Sequence, residues 1–166
     1  MMNTLLLFGL LNVMQADTVA SPWPVQQVDN LSNSAVTSVF MDRHDLIWLG
    51  TWDGLDQYDG SSIKVYKPDP RVKGQISNNI VREFLEDGNR NLWIVTHQGI
   101  NRYDRKTNKF EVFRAFKESP KSNSIYQIGE SPDRQFLYLA CFRGGFQIFD
   151  KANKTFRSFS TGFAGN

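Results

Sequence analysis

The sequence reads LWIVTHQGINRYD over residues 92–104, and two further copies of this pattern flank it. Each copy has an aromatic residue in an apolar run, then a glycine, then an aromatic residue followed by aspartate. The copies are Trp48, Gly54 and Tyr58-Asp59; Trp93, Gly99 and Tyr103-Asp104; and Tyr138, Gly145 and Phe149-Asp150. They recur about every 45 residues, a period found in propeller blades and in two- or three-helix solenoids.

Composition within the repeat favours strands over helices. Segments 36–40, 46–49 and 63–66 are rich in β-branched and aromatic residues, and Asp, Asn, Gly and Ser bound them. No stretch of about 10–12 residues keeps an apolar stripe at helical spacing. The predicted strands are 36–42, 46–51, 54–58 and 63–67; 80–86, 92–96, 99–103 and 110–114; and 125–130, 136–141, 145–149 and 156–159.

The sequence therefore predicts an all-β fold: a partial β-propeller of three four-stranded antiparallel blades plus an N-terminal clasp strand at residues 25–28. The predicted boundaries are 1–20 for a leader, 21–30 for the lead-in with the clasp strand, 31–75, 76–120 and 121–160 for the blades, and 161–166 for the start of a further blade. Since propellers have roughly four to eight blades, we expect further blades beyond these three and exposed apolar faces on the end blades. Apolar second strands predict burial on both sides, with Trp48 and Trp93 as packing residues.

The first twenty residues differ from the rest. Residues 4–14 form an apolar stretch of signal-peptide length, and the small residues Ala16 and Ala20 follow it. No Lys or Arg precedes Leu5, which is atypical of a signal peptide. We expect a secretory signal, with a buried or disordered leader as the alternative.

Charge and cysteine content exclude little. Nineteen basic and seventeen acidic residues give a net charge of +2 without clustering, so we expect no nucleic-acid partner. The single cysteine, Cys141, lies in an apolar strand and is interpreted as a small buried hydrophobe. We expect no cofactor and no metal site.

Several repeated polar residues have structural interpretations. Each glycine of the pattern opens a third strand, where a positive φ or a close backbone approach is expected. The Ser-Asn pairs at 32–33, 77–78 and 122–123 are predicted to hydrogen-bond local backbone before the first strand. Asp59, Asp104 and Asp150 are predicted to cap turns.

Binding residues are predicted in the loops between second and third strands. These loops carry Trp52-Asp53, His97-Gln98 and Phe142-Arg143. Aromatic planes beside polar groups suit sugar rings, which need an apolar face and hydrogen bonds together. The alternative is that they are solvated loop tips. His44 lies in a first-to-second strand turn, so we expect it on the opposite face from His97.

Residues 42–59 and 86–104 resemble the two-component regulator propeller repeat, and the resemblance extends over residues 31–159. The third unit is looser, since Tyr138 replaces tryptophan and Cys141 replaces threonine. The family forms the periplasmic sensor of hybrid two-component histidine kinases, many of which sense carbohydrates.

The resemblance implies an extracytoplasmic, ligand-sensing propeller of such a kinase, with an oligosaccharide ligand. The implied partners are further blades and downstream domains of the same chain, and a homodimer of the parent protein. It implies that this chain itself is not an enzyme, with the kinase activity in domains of the parent. A protein-interaction scaffold and a propeller-type lyase are the alternatives.

Overall fold

The computed structural model describes residues 30–115, 123–142 and 144–159. Within these ranges the backbone forms twelve strands and no α-helix. The strands are β1 Val36–Met41, β2 Ile47–Thr51, β3 Leu55–Tyr58, β4 Ile63–Tyr66, β5 Val81–Glu86, β6 Leu92–Thr96, β7 Gly99–Asp104, β8 Lys109–Phe113, β9 Ile125–Glu130, β10 Phe136–Cys141, β11 Gly145–Asp150 and β12 Thr155–Phe159.

The strands form three antiparallel meanders, β1–β4, β5–β8 and β9–β12, each in sequence order. We number these sheets blades 1, 2 and 3. Every strand begins and ends within one residue of its predicted bounds, and the all-β fold is confirmed. The predicted leader, the clasp strand at 25–28 and the predicted start of a further blade at 161–166 lie outside the described residues. No helix in the described ranges is long and apolar enough to cross a membrane.

The repeated glycines occupy positions that require them. Gly54, Gly99 and Gly145 have φ angles of 149°, 118° and 64°. A Cβ on Gly145 would lie 2.9 Å from the carbonyl oxygen of Phe159, and one on Gly99 would clash with the carbonyl oxygen of Phe113. The third strand therefore starts against the backbone of the fourth, as the sequence predicts.

The Ser-Asn pairs of blades 1 and 2 tie the lead-in of each blade to its own sheet, and Ser122 of the third pair lies outside the described residues. Asn78 Oδ1 accepts the amide of Ile80 at 2.9 Å, which is the predicted local bond. The preceding Ser77 donates its amide to Asn101 Oδ1 at 2.8 Å, and its hydroxyl lies 2.8 Å from Thr96 Oγ1. Blade 1 repeats these contacts with Ser32, Asn33, Thr51 and Asp56.

Turn capping by the repeated aspartates is confirmed. Asp59 Oδ1 accepts the amides of Ser61 and Ser62 at 2.8 and 2.7 Å, and these two bonds lower the pKa of Asp59. Asp104 and Asp150 cap the equivalent turns of blades 2 and 3 in the same way. These carboxylates are part of the scaffold.

Each blade has a leading face, which faces the next blade along the chain, and a trailing face, which faces the previous one. The leading face of blade 1 and the trailing face of blade 2 enclose one core, which contains Trp48, Leu55, Tyr66, Leu92 and Tyr103. The leading face of blade 2 and the trailing face of blade 3 enclose a second core, which contains Trp93, Ile100, Phe113, Leu137 and Phe149. The hydrophobic cores thus lie between blades.

An aspartate, a tryptophan and a cation from the next blade recur at both blade junctions. Asp42 accepts a hydrogen bond from Trp48 Nε1 at 2.8 Å and an ion pair from Arg105 at 2.6 Å. Asp87 does the same with Trp93 Nε1 at 2.9 Å and Lys151 at 3.1 Å. Burial alone would raise the pKa of both carboxyls. Hydrogen bonds from the indole, the cation and backbone amides together outweigh this effect, so the pKa of each carboxyl is lowered.

Burial of the second strands corrects one expectation. Every residue of β6 is buried, as predicted, but β10 carries exposed Tyr138 and Ala140, and two residues of β2 are only half-buried. The reason is position, because only blade 2 has a described blade on both sides. Cys141 is likewise half-buried rather than buried, and burial raises the pKa of its thiol to about 11.

The repeat supplies a matched test of the packing role of tryptophan. We predict that Trp93→Ala lowers the free energy of unfolding by about 3–5 kcal/mol, since the indole is 2% exposed and contacts Phe113 and Phe149. Tyr138→Ala, at the equivalent position but 37% exposed, should cost less than about 1 kcal/mol. Urea unfolding measures both changes. Equal losses would contradict the assignment of the core to the blade junctions.

The junction aspartates predict a loss of stability in acid. A carboxyl with a lowered folded-state pKa stabilises the fold fully above its unfolded pKa, and this contribution disappears as pH falls through the folded value. The unfolded reference for Asp87 is 3.8, so the urea midpoint should fall as pH drops below about 4. Asp87→Asn should be less stable at pH 7 and lose less on acidification. Parallel pH profiles for the two proteins would refute this.

Candidate ligand-binding face

The loops between second and third strands are anchored in the same way in each blade. Trp52 donates its amide to the carbonyl of Ala35 at 3.3 Å, and His97 donates to Ile80 at 3.1 Å. In blade 3, Phe142 donates to Ser124 at 2.7 Å. Each bond joins the loop to the residues just before or at the start of the first strand of its own blade. Trp52, His97 and Phe142 therefore lie at one end of their blades.

Two residues of the first strands complete this end. The guanidinium carbon of Arg82 lies 4.9 Å from the ring centre of Trp52 and 5.2 Å from that of Tyr126. Arg82 belongs to blade 2, whereas Trp52 and Tyr126 belong to blades 1 and 3. Cation–π contacts thus join the three blades through a single arginine.

His97 and Phe142 extend the contacts. Arg82 Nε lies 2.8 Å from His97 Nε2. The ring of Tyr126 lies 6.3 Å from that of His97 and 6.2 Å from that of Phe142. We call these five residues, Trp52, Arg82, His97, Tyr126 and Phe142, the aromatic–arginine row. Its three aromatic side chains are solvent-accessible, with Trp52 and Phe142 each 49% exposed and Tyr126 44% exposed.

Hydrogen bonding to arginine defines the state of His97. A guanidinium has only donors, so Nε2 of the imidazole accepts and the ring proton lies on Nδ1. Burial lowers the pKa of His97, and the positive charge of Arg82 lowers it further. The imidazole is therefore neutral at pH 7 and presents no second positive charge beside Arg82.

β-bulges place Arg82 and Tyr126 in the row. Strand pairing skips one residue between Val81 and Glu83, and the equivalent irregularity in β9 falls at Tyr126. A bulge leaves its extra residue out of the ladder and redirects its side chain. Sequence reasoning missed both residues, because a bulge interrupts the alternation from which strand faces are inferred. Thr37 has the corresponding position in blade 1.

Of the other predicted binding residues, Asp53 and Gln98 make contacts outside the row. Asp53 pairs with Lys67 at 2.6 Å and accepts a hydrogen bond from Asn79 at 3.1 Å, and the bond from Lys67 contributes most to its lowered pKa. Gln98 lines a separate groove with Pro68 and Arg114. Arg143 lies outside the described residues.

His44 lies at the opposite end of its blade. It occupies the turn between β1 and β2, where its amide donates to Asp42 Oδ1 at 2.8 Å. The row occupies the ends where β2, β6 and β10 turn into the third strands. The two histidines are on opposite faces, as predicted. No group of three or more His, Cys, Asp or Glu that could hold a metal ion occurs among the described residues.

Comparison with known proteins identifies the repeat. The family model described as two component regulator propeller matches residues 30–53, from the lead-in of blade 1 through Asp53. Residues 30–53 are thus similar to a two-component regulator propeller repeat. The resemblance inferred from the sequence is thereby confirmed.

The relatives that this chain matches are much longer proteins. Histidine kinase P4 of Formosa agariphila is 38% identical over 50 residues, which are 30% of this chain and 4% of that protein. The extracellular domain described for the hybrid two component system BT3049 of B. thetaiotaomicron has a TM-score of 0.70 at 25% identity, over 80% of this chain and 19% of that one. The corresponding domain of BT4673 from the same organism has a TM-score of 0.62 at 26% identity. That match covers 72% of this chain and 17% of the other. The chain thus spans under a fifth of each.

The contact between Arg82 and His97 predicts a pH response. We expect His97 to titrate below the ordinary histidine pKa of 6.5, and Arg82→Gln to raise its pKa only part of the way back, because burial contributes more than charge. Proton NMR of the imidazole measures this in a His44→Gln background, which leaves one histidine. A pKa at or above 6.5 in the protein with Arg82 intact would contradict the geometry.

Proposed function

We propose that these blades are part of the extracytoplasmic sensor propeller of a hybrid two-component signal-transduction histidine kinase, and that the aromatic–arginine row binds a carbohydrate. Two solved structures of similar fold are described as extracellular domains of hybrid two component systems, and a curated relative is a histidine kinase. These similarities support a periplasmic sensor role. In this proposal, residues 1–20 are a secretory leader that directs the blades to the periplasm.

The observation that carries the ligand proposal is the row itself. Trp52, Tyr126 and Phe142 present accessible aromatic rings on one face, and Arg82 supplies fixed N–H donors between two of them. A saccharide offers both an apolar ring face and hydroxyl acceptors, so it matches both features. Asp53, Gln98 and Arg143 are not needed for this match.

Signalling in this proposal follows from the position of the row. Its residues come from three blades, so a ligand that contacts all of them binds more tightly to one relative arrangement of the blades than to others. A ligand can shift a conformational equilibrium only through such a difference in affinity. The shift would pass to the downstream domains of the parent kinase, and to its partner in a homodimer.

Binding rather than chemistry is the role we assign to the row. Its one titratable base, His97, has Nε2 engaged by Arg82 at 2.8 Å and a lowered pKa. An acid–base catalyst must reach the proton that it transfers. The kinase reaction belongs to other domains of the parent in this proposal, and the blades serve recognition.

A glycan array followed by calorimetric titration of the bound saccharide tests the proposal. Trp52→Ala and Phe142→Ala should each weaken binding by about 1–3 kcal/mol, if sugar stacking resembles base stacking. The stability of both variants should change little because both side chains are half exposed. Arg82→Met should also weaken binding, since it removes the donors while keeping an apolar side chain.

The matched control is His44→Ala, on the opposite face, which should leave the affinity unchanged. This face would be rejected if the Trp52 and Phe142 variants bound the saccharide as tightly as the unmodified protein does. A loss of affinity in the His44 variant would also reject it. An array without any bound saccharide would reject the ligand class.

A further inference from the structure

The positive charge of Arg82 has no counterion within the described part of the chain. Other arginines of blades 1 and 2 each form an ion pair with a carboxylate, and Arg82 forms none there. Its contacts are with the rings of Trp52 and Tyr126 and with the imidazole of His97. Aromatic ring faces attract a cation through their quadrupoles but carry no net charge. A half-buried and uncompensated positive charge therefore remains on this face.

The carboxylates nearest in sequence to the row have other partners. Asp53, in the loop of blade 1, pairs with Lys67 at 2.6 Å. Glu83 follows Arg82 in the chain, but its Oε2 accepts the amide of Ile128 at 2.8 Å. Burial raises the pKa of Glu83, which disfavours its negative charge. Neither carboxylate neutralises the guanidinium.

One edge of the Arg82 guanidinium is not used by the fold. Its Nε and Nη2 atoms lie 2.8 and 2.6 Å from His97 Nε2, so the edge between these nitrogens faces the imidazole. Within the described residues Arg82 makes no other hydrogen bond, and the edge between Nη1 and Nη2 keeps a pair of parallel N–H groups. Such a pair matches the oxygens of a carboxylate or a sulfate, which it can bind in a bidentate way.

We infer that the saccharide bound by the aromatic–arginine row is acidic, with a carboxylate or sulfate ester on the Nη1–Nη2 edge of Arg82 and its sugar ring against the neighbouring aromatic residues. The inference rests on the proposed carbohydrate ligand and adds the charge of that ligand. Charge-assisted hydrogen bonds are roughly twice as strong as those to a neutral hydroxyl. Partial burial of Arg82 also weakens the screening of the attraction by solvent and salt.

The same contacts discriminate against neutral saccharides of similar shape. A neutral ligand would cover Arg82 and leave its charge without a counterion, and removing an unpaired charge from water costs free energy. An acidic ligand supplies the counterion. His97 is neutral and accepts from Arg82, so it adds no charge that could bind or repel an anion. Specificity for an acidic group therefore depends on Arg82.

A glycan array with acidic and neutral members, followed by calorimetric titration, tests the inference on the 166-residue chain. Matched probes are trigalacturonate with its methyl ester, and sulfated lactose with lactose. If the array returns another acidic glycan, its esterified or desulfated form is the neutral probe. We expect the acidic member of a pair to bind about tenfold or more tightly than the neutral one, the effect of one charge-assisted hydrogen bond. The pair that responds assigns the anion to a carboxylate or a sulfate.

Substitutions of Arg82 should remove this preference. Arg82→Gln should lower the affinity for the acidic member by about ten- to a hundredfold, and the affinity for the neutral member less, since glutamine keeps N–H donors. Arg82→Lys keeps the charge without the planar fork and should retain part of the preference. The matched control is Arg102→Gln, which removes the same charge from blade 2. Arg102 pairs with Glu111 at 2.6 Å, so its loss should leave the preference unchanged.

Each comparison is a ratio of affinities within one protein, so a change in the folded fraction cancels. Equal affinity for the acidic and neutral members, or binding of neutral glycans alone, would overturn the inference. The carbohydrate proposal would still stand if Trp52→Ala weakened that binding. A preference that survives Arg82→Gln would also overturn the inference, because the anion would then lie elsewhere. An array without any bound glycan would reject the carbohydrate proposal and this inference with it.

Discussion

Burial of one blade's aromatic face against the next blade is the constraint on which the structure depends. A single four-stranded meander has two apolar faces and no interior, so Trp48 and Trp93 leave water only because another blade covers them. Two residues at equivalent positions show this effect. Trp93, which the next blade covers, is 2% exposed, whereas Tyr138 is 37% exposed. Packing in this chain is therefore a property of junctions.

Polar groups at the junctions specify how the blades meet. A buried aspartate that accepts from both an indole and a cation has only one favourable position for each donor, whereas an apolar surface alone permits sliding. Asp42 and Asp87 use this geometry at successive junctions. Arg82 joins the same blades at another end, through two ring contacts and a histidine.

Much of the fold could be predicted from the sequence because the same pattern of strands and turns occurs three times. Period, strand bounds, turn-capping aspartates and glycines at positive φ all follow from local residue types. The burial of β10 could not be predicted, because a local pattern does not show whether a neighbouring blade covers Tyr138. Only the loop residues of the candidate site could be predicted, because Arg82 and Tyr126 join it through β-bulges. The sequence also does not show that Asp53 forms an ion pair with Lys67.

The bulges at Thr37, Arg82 and Tyr126 have a consequence for how such a face can diversify. A residue outside the ladder contributes few cross-strand contacts, so the sheet constrains its size and charge less than it constrains the residues on either side. The three blades hold a hydroxyl, a guanidinium and a phenol at this one position with the same strand order around them. Propellers built from this repeat can therefore acquire new chemical preferences by single substitutions at this position, while the order of the strands stays the same.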